Sequence, residues 1–367
     1  GILLFSAGVL PAETKSENFT LEDVFDLEYA SDPQISPDGS QVVFVRNFMD
    51  KMKDIRRSNL WIINSDGSGL RPLTTGNQND FDPRWSPDGT QLIYASSQTG
   101  STEIYRRWME TGQTAQLTQL TETPAHLTWS PDGQWIAFTM FVPVPEPPFV
   151  TLPKKPEGAD WGPAFRVFDE LRYRAEGQGY VRNGFHHLFV LPVAGGTPRQ
   201  ITHGNYHHVG SMAWTSDNES LVYAAYEYTN DAEDTWMTDI YKLDISSGKI
   251  EQLTEAPGPD YSPQVSPNGE QIAFLRQADY TKGYSFPKLW LMDPDGSNKQ
   301  PLTKAFDRGV YQPQWNSKSN RLYVKYDDQG NGKVGYVNMK GAVQTLAENV
   351  GGVNIRRPYQ SGSFSVA

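Results

Sequence analysis

The sequence predicts an all-β fold, a seven-bladed β-propeller with six complete four-stranded blades and a truncated seventh. Three observations lead to this prediction: a turn motif recurs, its copies are regularly spaced, and apolar runs separate them. The motif is a bulky residue followed by Ser-Pro-Asp-Gly or a variant of it, at 35–39, 85–89, 129–133, 214–218, 265–269 and 315–319. Pro presets φ and Gly takes the left-handed position, so each copy predicts the turn of a β-hairpin.

The spacing of the motif is regular. Successive copies begin 50, 44, 85, 51 and 50 residues apart. A second mark, an apolar residue usually followed by Thr, closes each unit at 73–74, 117–118, 201–202, 253–254, 302–303 and 346–347. Apolar runs between the turn motif and the closing Thr predict further strands, so each repeat is expected to contain four short strands. Repeats of about 40–50 residues with four strands are typical of propeller blades. The alternative, a two-sheet sandwich, requires no equal repeat.

The expected domain organisation follows this repeat. Residues 1–12 are interpreted as the remnant of a signal peptide, 18–31 as an N-terminal helix and entry, and 32–367 as the propeller. The blades are expected at about 32–76, 77–120, 121–204, 205–256, 257–306 and 307–350, with the start of a seventh at 351–367. An insertion, residues 142–184, interrupts the third blade.

The two ends of the chain support further expectations. Residues 2–10 are apolar and precede Pro11 and small residues, a pattern typical of the end of a signal peptide, although an apolar tail packed on the propeller is the alternative. Because the last repeat stops in its first strand, we expect a fragment that lacks sequence at both ends. The parent protein is expected to be periplasmic or secreted.

A short helix is expected before the first blade. Thr20 and Asp23 resemble a capping box, which predicts a helix to about Tyr29. Its apolar residues share one face: Leu21, Val24, Phe25 and Leu27.

Composition excludes several classes of function. The net charge of −11 argues against nucleic acid or an anionic membrane surface as the partner. The chain has no Cys, so it has no disulfide, thiolate zinc site or cysteine nucleophile. No Gly-x-Ser-x-Gly is present, and no catalytic residue is predicted.

The insertion is the longest departure from the repeat. Seven prolines between 143 and 163 precede a segment, 165–180, that mixes aromatic, Arg and acidic residues. Such a loop on a regular scaffold often carries function. It is equally explained as a solvated excursion that packs against a neighbouring domain, and the sequence leaves both interpretations open.

Five of the six histidines fall close together, at His186, His187, His203, His207 and His208. Neutral imidazoles on neighbouring strands are able to bind a metal ion. Their spacing matches no established ligand pattern, so no metal site and no cofactor are predicted. The acidic stretch 293–298 resembles the start of a calcium loop, but it lacks the downstream acidic ligand and is better explained as a turn.

Three segments resemble the N-terminal β-propeller region of the prolyl oligopeptidase family, in particular its acylaminoacyl-peptidase and dipeptidyl-peptidase-like bacterial branch. They are the opening, 21–39, the insertion at 168–180 with 187–190, and the terminal stretch 357–365. The resemblance covers about residues 18–367. The turn motif alone is less specific, because TolB-type propellers share it.

The resemblance implies a peptidase whose propeller gates and positions short peptides. An α/β-hydrolase domain of the same polypeptide, absent from this chain, would supply the Ser, His and Asp of a catalytic triad. The chain itself is therefore expected to hydrolyse no peptide. Asp169 and Glu170 are the candidates for binding a substrate ammonium group. Arg172, Tyr173 and Arg174 are the alternatives, suited to a carboxylate or carbonyl.

Two other functions remain open from the sequence. One is a periplasmic TolB-type module that binds other proteins through its loops and channel. The other is a metal-dependent lyase built on the same repeats, which only the histidines support.

Overall fold

The computed structural model describes residues 18–145, 150–151, 153–162, 166–168, 173–175, 179–227, 237–255, 257–278, 285–351 and 362–367. Within these ranges it contains six four-stranded antiparallel sheets. The predicted propeller with six complete blades is confirmed. The predicted signal-peptide remnant lies outside the described residues.

The sheets follow one another along the chain. Sheet 1 contains β1 (Tyr29–Ile35), β2 (Gln41–Asp50), β3 (Ile55–Asn64) and β4 (Arg71–Pro72). Sheet 2 contains β5 (Asp80–Trp85), β6 (Gln91–Ser96), β7 (Glu103–Trp108) and β8 (Thr114–Gln116). Sheet 3 begins with β9 (Pro124–Trp129) and β10 (Trp135–Pro143). A separate hairpin of β11 (Arg174–Ala175) and β12 (Gly179–Tyr180) follows, and β13 (Gly184–Pro192) and β14 (Arg199–Gln200) complete sheet 3.

The second half repeats the pattern. Sheet 4 contains β15 (Tyr206–Trp214), β16 (Ser220–Glu227), β17 (Asp239–Asp244) and β18 (Ile250–Gln252). Sheet 5 contains β19 (Asp260–Val265), β20 (Ile272–Arg276), β21 (Lys288–Met292) and β22 (Gln300–Pro301). Sheet 6 contains β23 (Tyr311–Trp315), β24 (Arg321–Asp328), β25 (Asn331–Asn338) and β26 (Val343–Ala347). The first strand of each sheet contacts the first strand of the next, so the first strands are the innermost ones, which in a propeller surround the central channel.

The turn motif forms the first hairpin of each sheet, as predicted. In sheet 1 the Gly39 amide donates to the Ser36 carbonyl at 2.8 Å, and Gly39 has a φ of 73°. The Ser36 hydroxyl donates to Asp38 Oδ1 at 2.5 Å. Hydrogen bonds from Ser36 and Ser40 lower the pKa of Asp38 to about 2, so its carboxylate stays charged and holds the turn.

The closing Thr also has a structural reason. In sheet 1, Thr74 Oγ1 accepts a hydrogen bond from the Leu60 amide at 2.9 Å. Four other sheets repeat this bond at 2.9 Å, from Ile104 to Thr118, Leu188 to Thr202, Ile240 to Thr254 and Leu289 to Thr303. The Thr therefore satisfies an amide of the third strand just beyond the short fourth strand.

Apolar residues of neighbouring sheets pack together around the axis. Between sheets 2 and 3, for example, Ile93 and Ile104 pack with Ile136 and Phe138, all of them fully buried. Similar clusters join sheets 1 and 2, 3 and 4, 4 and 5, and 5 and 6. This stacking buries sheet faces that a single four-stranded sheet would leave in water.

The N-terminal helix is shorter than predicted. It is a 3-10 helix, Glu22–Asp26, and β1 already begins at Tyr29. Asp23 Oδ2 does accept a hydrogen bond from the Thr20 amide at 2.5 Å, as the capping pattern indicates. The apolar face is not buried, since Leu21 is 91% exposed. Without a buried face, a longer helix lacks the packing energy that would sustain it.

Residues 362–367 bridge the first and last sheets. The Phe364 carbonyl accepts a hydrogen bond from Gln314 Nε2 of β23 at 2.9 Å, and Ser365 Oγ accepts one from the Ile35 amide at the end of β1 at 2.9 Å. In the ranges that the structure describes, no helix has the length and apolar character needed to cross a lipid bilayer.

Candidate functional site in the central channel

A repeated bulge shapes the innermost strands. Four positions before the second residue of the turn motif, a residue other than Gly has positive φ in five sheets: Asp32 (47°), Asp82 (55°), His126 (56°), Ser262 (53°) and Gln312 (53°). In each case the register between the first and second strands shifts at this point. Because Ser, Gln and His also adopt this conformation, the bulge does not by itself require an Asp.

Arg84 of β5 links the two aspartates. Its guanidinium lies 2.8 Å from Asp32 Oδ2 of sheet 1 and 2.6 Å from Asp82 Oδ1 of its own strand. The side chain of Arg84 is 28% exposed and that of Asp82 is 12% exposed. An ion pair in such a partly desolvated place is stronger than one at the surface.

The network continues on both sides of Arg84. Asp82 Oδ2 accepts a hydrogen bond from the Leu127 amide of β9 at 2.7 Å. Gln34 Nε2 donates to Asp32 Oδ1 at 2.7 Å. We call Asp32, Gln34, Asp82, Arg84 and His126 the channel cluster. It joins the innermost strands of sheets 1, 2 and 3.

The channel cluster sets two carboxyl groups against one guanidinium. Burial acts to lower the pKa of Arg84, but the carboxylates of Asp82 and Asp32 outweigh it, so the net shift is upward and the guanidinium stays charged. Burial raises the pKa of Asp82, against the effect of Arg84. Burial also lowers the pKa of His126, so this imidazole is neutral at pH 7. In sheets 5 and 6 the positions of Asp32 and Asp82 are occupied by uncharged residues, Ser262 and Gln312.

The candidate site residues of the insertion are only partly described. Asp169, Glu170 and Arg172 lie outside the described residues. Tyr173 is 47% exposed, and its ring centroid lies 5.2 Å from that of Phe168. Arg174 is exposed on β11, opposite Tyr180 of β12. Their contact with a substrate stays a prediction.

The insertion returns to sheet 3 through a second set of contacts. Arg182 pairs with Glu122, with Nη1 lying 2.6 Å from Oε1, and its guanidinium carbon lies 4.5 Å from the ring centroid of Phe141. Phe141 in turn lies 5.4 Å from His186, centroid to centroid. The end of the insertion is thus anchored beside the histidine-rich strands β13 and β15.

The histidines do come together in space. The ring centroids of His187 and His208 are 5.4 Å apart, and those of His186 and His207 are 6.0 Å apart. In the described part of the chain, no group of three or more His, Cys, Asp and Glu is arranged to hold a metal ion.

The channel cluster was not predicted. Its signal in the sequence is an Asp followed by Pro at the same place in two repeats, 32–33 and 82–83. Two later repeats also carry Pro, at 263 and 313, but with Ser262 and Gln312 before it. Alignment of the repeats on their turn motifs would have identified the two aspartates.

Comparison with known proteins gives matches of two kinds. Residues 22–141 match the family model of the TolB beta propeller domain, and residues 178–275 match that of the dipeptidyl peptidase IV N-terminal region. The chain is 29% identical to the uncharacterized peptidase YuxL of Bacillus subtilis, over 89% of its own length and 51% of that protein. It is 23% identical to dipeptidyl-peptidase 5 of Porphyromonas gingivalis, over 88% of its length and 48% of that protein.

Solved structures agree on the fold. The acylaminoacyl peptidase of Pyrococcus horikoshii superposes with a TM-score of 0.65 at 15% identity, covering 88% of this chain and 46% of that one. The chain thus spans about half the length of the curated relatives it matches. The resemblance to the N-terminal propeller region of these peptidases is confirmed.

Proposed function

We propose that this chain is the propeller domain of an exported serine exopeptidase, of the dipeptidyl or acylaminoacyl type, and that it gates and positions short peptides. The observation that carries the proposal is the similarity to a protein named as a peptidase along 89% of the chain. The match of 178–275 to a dipeptidyl peptidase N-terminal region, which includes the return of the insertion, supports it. On this proposal the protein is periplasmic or secreted.

The channel cluster suits the positioning of peptides. Peptides offer backbone donors and acceptors as well as charged ends, and the cluster contains carboxyl groups, a guanidinium and an amide on adjacent strands. Hydrogen bonds to charged groups are stronger than neutral ones. Additional substrate contacts are proposed for the insertion residues Asp169, Glu170, Arg172, Tyr173 and Arg174. Bond cleavage would belong to the hydrolase domain.

Residues 351–367 are proposed to begin a seventh blade. The support is the placement of residues 362–367, which lie between sheets 6 and 1 and form hydrogen bonds with Gln314 and Ile35. The first strand of a further blade would occupy this position.

The reading frame beyond Ala367 tests the proposal most simply. We expect three more strands, then a Gly-x-Ser-x-Gly, an Asp and a His within about 250 further residues. A stop soon after the seventh blade would refute the peptidase proposal.

Peptide binding to the purified chain tests the role of the propeller. We expect a short peptide to bind in isothermal titration calorimetry, with no hydrolysis of dipeptidyl or acyl-aminoacyl chromogenic substrates. Arg174→Ala is expected to weaken binding about tenfold, which corresponds to about 1.4 kcal/mol, by removing a partner of the peptide carboxylate. Arg199→Ala on β14 is the control. Equal affinity of the two variants would remove Arg174 from the site.

The alternative function is a TolB-type interaction module, favoured by the match of residues 22–141 to the TolB beta propeller domain. The two proposals differ in the ligand. A module of this type would bind a folded protein partner and show no affinity for short peptides.

A further inference from the structure

Three boundaries between sheets are held by the same hydrogen bond. The indole Nε1 of Trp85 donates to the Gln34 carbonyl at 2.9 Å. Trp129 donates to the Arg84 carbonyl at 3.0 Å, and Trp315 repeats the bond to the Gln264 carbonyl at 3.1 Å. Each bond joins the bulky residue of a turn motif to the first strand of the preceding sheet.

Among the residues that the structure describes, the boundary between sheets 3 and 4 lacks this bond. Trp214 lies at the same place in its repeat and is buried, 7% exposed, yet its Nε1 has no hydrogen-bond partner in the described part of the chain. An unsatisfied buried donor destabilises the structure around it.

The innermost strand of sheet 4 also bulges differently from the others. Val209 and Ala213, four positions apart on β15, pair with Ala224 and Val222, which are two apart on β16. In the other five sheets the corresponding residues of the first strand are three positions apart. The extra residue coincides with the boundary at which the tryptophan has no partner among the described residues.

Histidines pack at the end of this boundary that lies away from the turn motif and Trp214. His187 of β13 and His208 of β15 are 4% and 5% exposed, and their ring centroids lie 5.4 Å apart. His208 Nδ1 donates a hydrogen bond to the His186 carbonyl at 2.7 Å, across the two sheets. His187 Nδ1 lies 3.3 Å from Thr202 Oγ1.

Both buried imidazoles are neutral at pH 7. Burial is the main cause that lowers the pKa of His187 to about 4, and burial lowers the pKa of His208 to the same value. In the part of the chain that is described, the titratable and charged groups seen to interact with them, or with the neighbouring His186 and His207, are His203, His126, Arg182, Tyr206, Tyr223 and Tyr226.

None of these neighbouring groups is a carboxylate. The carboxylate of Glu227 interacts with the Tyr206 hydroxyl instead, from an exposed position at the end of β16. A proton added to His187 or His208 therefore meets imidazoles, phenols and a guanidinium, and no opposite charge among them compensates it.

We propose that the boundary between sheets 3 and 4 is an acid-sensitive opening, which loosens when His187 and His208 become protonated and gives lateral access to the channel beside the insertion. The turn end of the boundary stays joined, because Asn218 Oδ1 accepts a hydrogen bond from the Asp132 amide at 2.8 Å. The loosening is therefore confined to the histidine end.

The size of the effect follows from proton linkage. An imidazole that titrates at about 4 when buried and at its ordinary value of 6.5 when solvated favours the open form by about 30-fold on going from about pH 7.5 to about pH 5. Two such groups that become solvated together multiply this factor. The acid response of this boundary should therefore exceed that of the three boundaries held by indole hydrogen bonds.

Hydrogen exchange of the purified chain tests the proposal without reference to any peptidase activity. After correction for intrinsic exchange, protection of amides in 184–188 and 206–209 is expected to fall at least about 30-fold between about pH 7.5 and pH 5. Amides of β3 and β5, at the boundary of sheets 1 and 2, should change far less. An equal fall at both boundaries would overturn the proposal.

Substitutions assign the response to the two histidines. The double variant His187→Gln and His208→Gln should lose the acid response, because Gln has no proton to gain. The exposed His203→Gln is the matched control and should keep it. If the double variant does not fold, His208→Gln alone decides, with a response about 30-fold smaller than that of the natural chain. An unchanged response in the folded variant would overturn the proposal.

Discussion

Two neighbouring boundaries of the propeller, between sheets 2 and 3 and between sheets 3 and 4, start from the same turn motif and differ in what holds them. At the first, Trp129 donates to the Arg84 carbonyl and Asp82 accepts from the Leu127 amide. At the second, Trp214 has no partner among the described residues, and closely packed histidines occupy the far end.

The sequence repeat therefore determines the fold of each sheet, but it does not determine the contacts between neighbouring sheets. Each motif builds its own hairpin through local bonds, and so works in any sheet. Whether its tryptophan reaches the neighbouring sheet depends on the position of another strand. The channel cluster and indole hydrogen bonds join sheets 1, 2 and 3, whereas the boundary between sheets 3 and 4 is held by apolar packing, neutral imidazoles and the hydrogen bond between Asn218 and Asp132.

Removing the ion pair that joins the well-held sheets should have the greatest consequence. Arg84→Met leaves two carboxyl groups facing each other with little water, and we expect a loss of about 3 kcal/mol in the free energy of unfolding, measured with urea. Arg308→Met is the matched control, because Arg308 also lies between two carboxylates, Asp307 and Asp328, but is 39% exposed. Its loss should be clearly smaller, since water screens exposed pairs. Similar losses would show that the channel cluster is not special.

The same substitution at Trp129 and at Trp214 tests whether the indole hydrogen bond distinguishes the two boundaries. Trp129→Phe and Trp214→Phe remove the same volume from buried positions, but only the first removes a hydrogen bond seen in the described structure. We expect Trp129→Phe to lower the free energy of unfolding by about 1–2 kcal/mol more than Trp214→Phe. If Trp214→Phe is the more costly change in urea denaturation, the two boundaries do not differ as described.

At the boundary between sheets 4 and 5 we expect a smaller effect on stability. Its pH dependence is opposite to that of His187 and His208, whose protonation loosens the boundary between sheets 3 and 4. Burial raises the pKa of Asp239 to about 6, although Thr254 and Gln252 donate hydrogen bonds to its carboxylate. The folded state therefore binds a proton more tightly than the unfolded one, and stability falls as the pH rises from about 4 to about 6.

Asp239→Asn tests this sign. Because Asp239 is only half-buried, we expect the variant to gain about 1 kcal/mol at about pH 7.5 and nothing at about pH 4. Glu251→Gln, an exposed change on β18, is the control and should show no such difference. A gain in acid equal to that at neutral pH would rule out the assignment.

The sequence predicts the sheets well, because hairpin turns and closing Thr residues act within one repeat. It does not predict the channel cluster, since Arg84 reaches Asp32 across 52 positions of the chain. It cannot distinguish Trp214 from Trp129 either, because both belong to the same motif and the extra residue in the register of β15 is apparent only in the structure. The N-terminal helix ends early for a related reason. In the described structure its apolar face is not buried, so packing does not stabilise a longer helix.

The state of each indole N–H decides whether the two boundaries differ. Nitrogen-15 labelling of tryptophan, with assignment by the Phe variants, allows the chemical shift and hydrogen exchange of each indole to be measured by NMR. We predict hydrogen-bonded shifts and slow exchange for Trp85, Trp129 and Trp315. For Trp214 we predict the shift of a free indole and exchange faster than that of the other three. Equal shifts and equal protection of Trp214 and Trp129 would show that the same bond holds both boundaries.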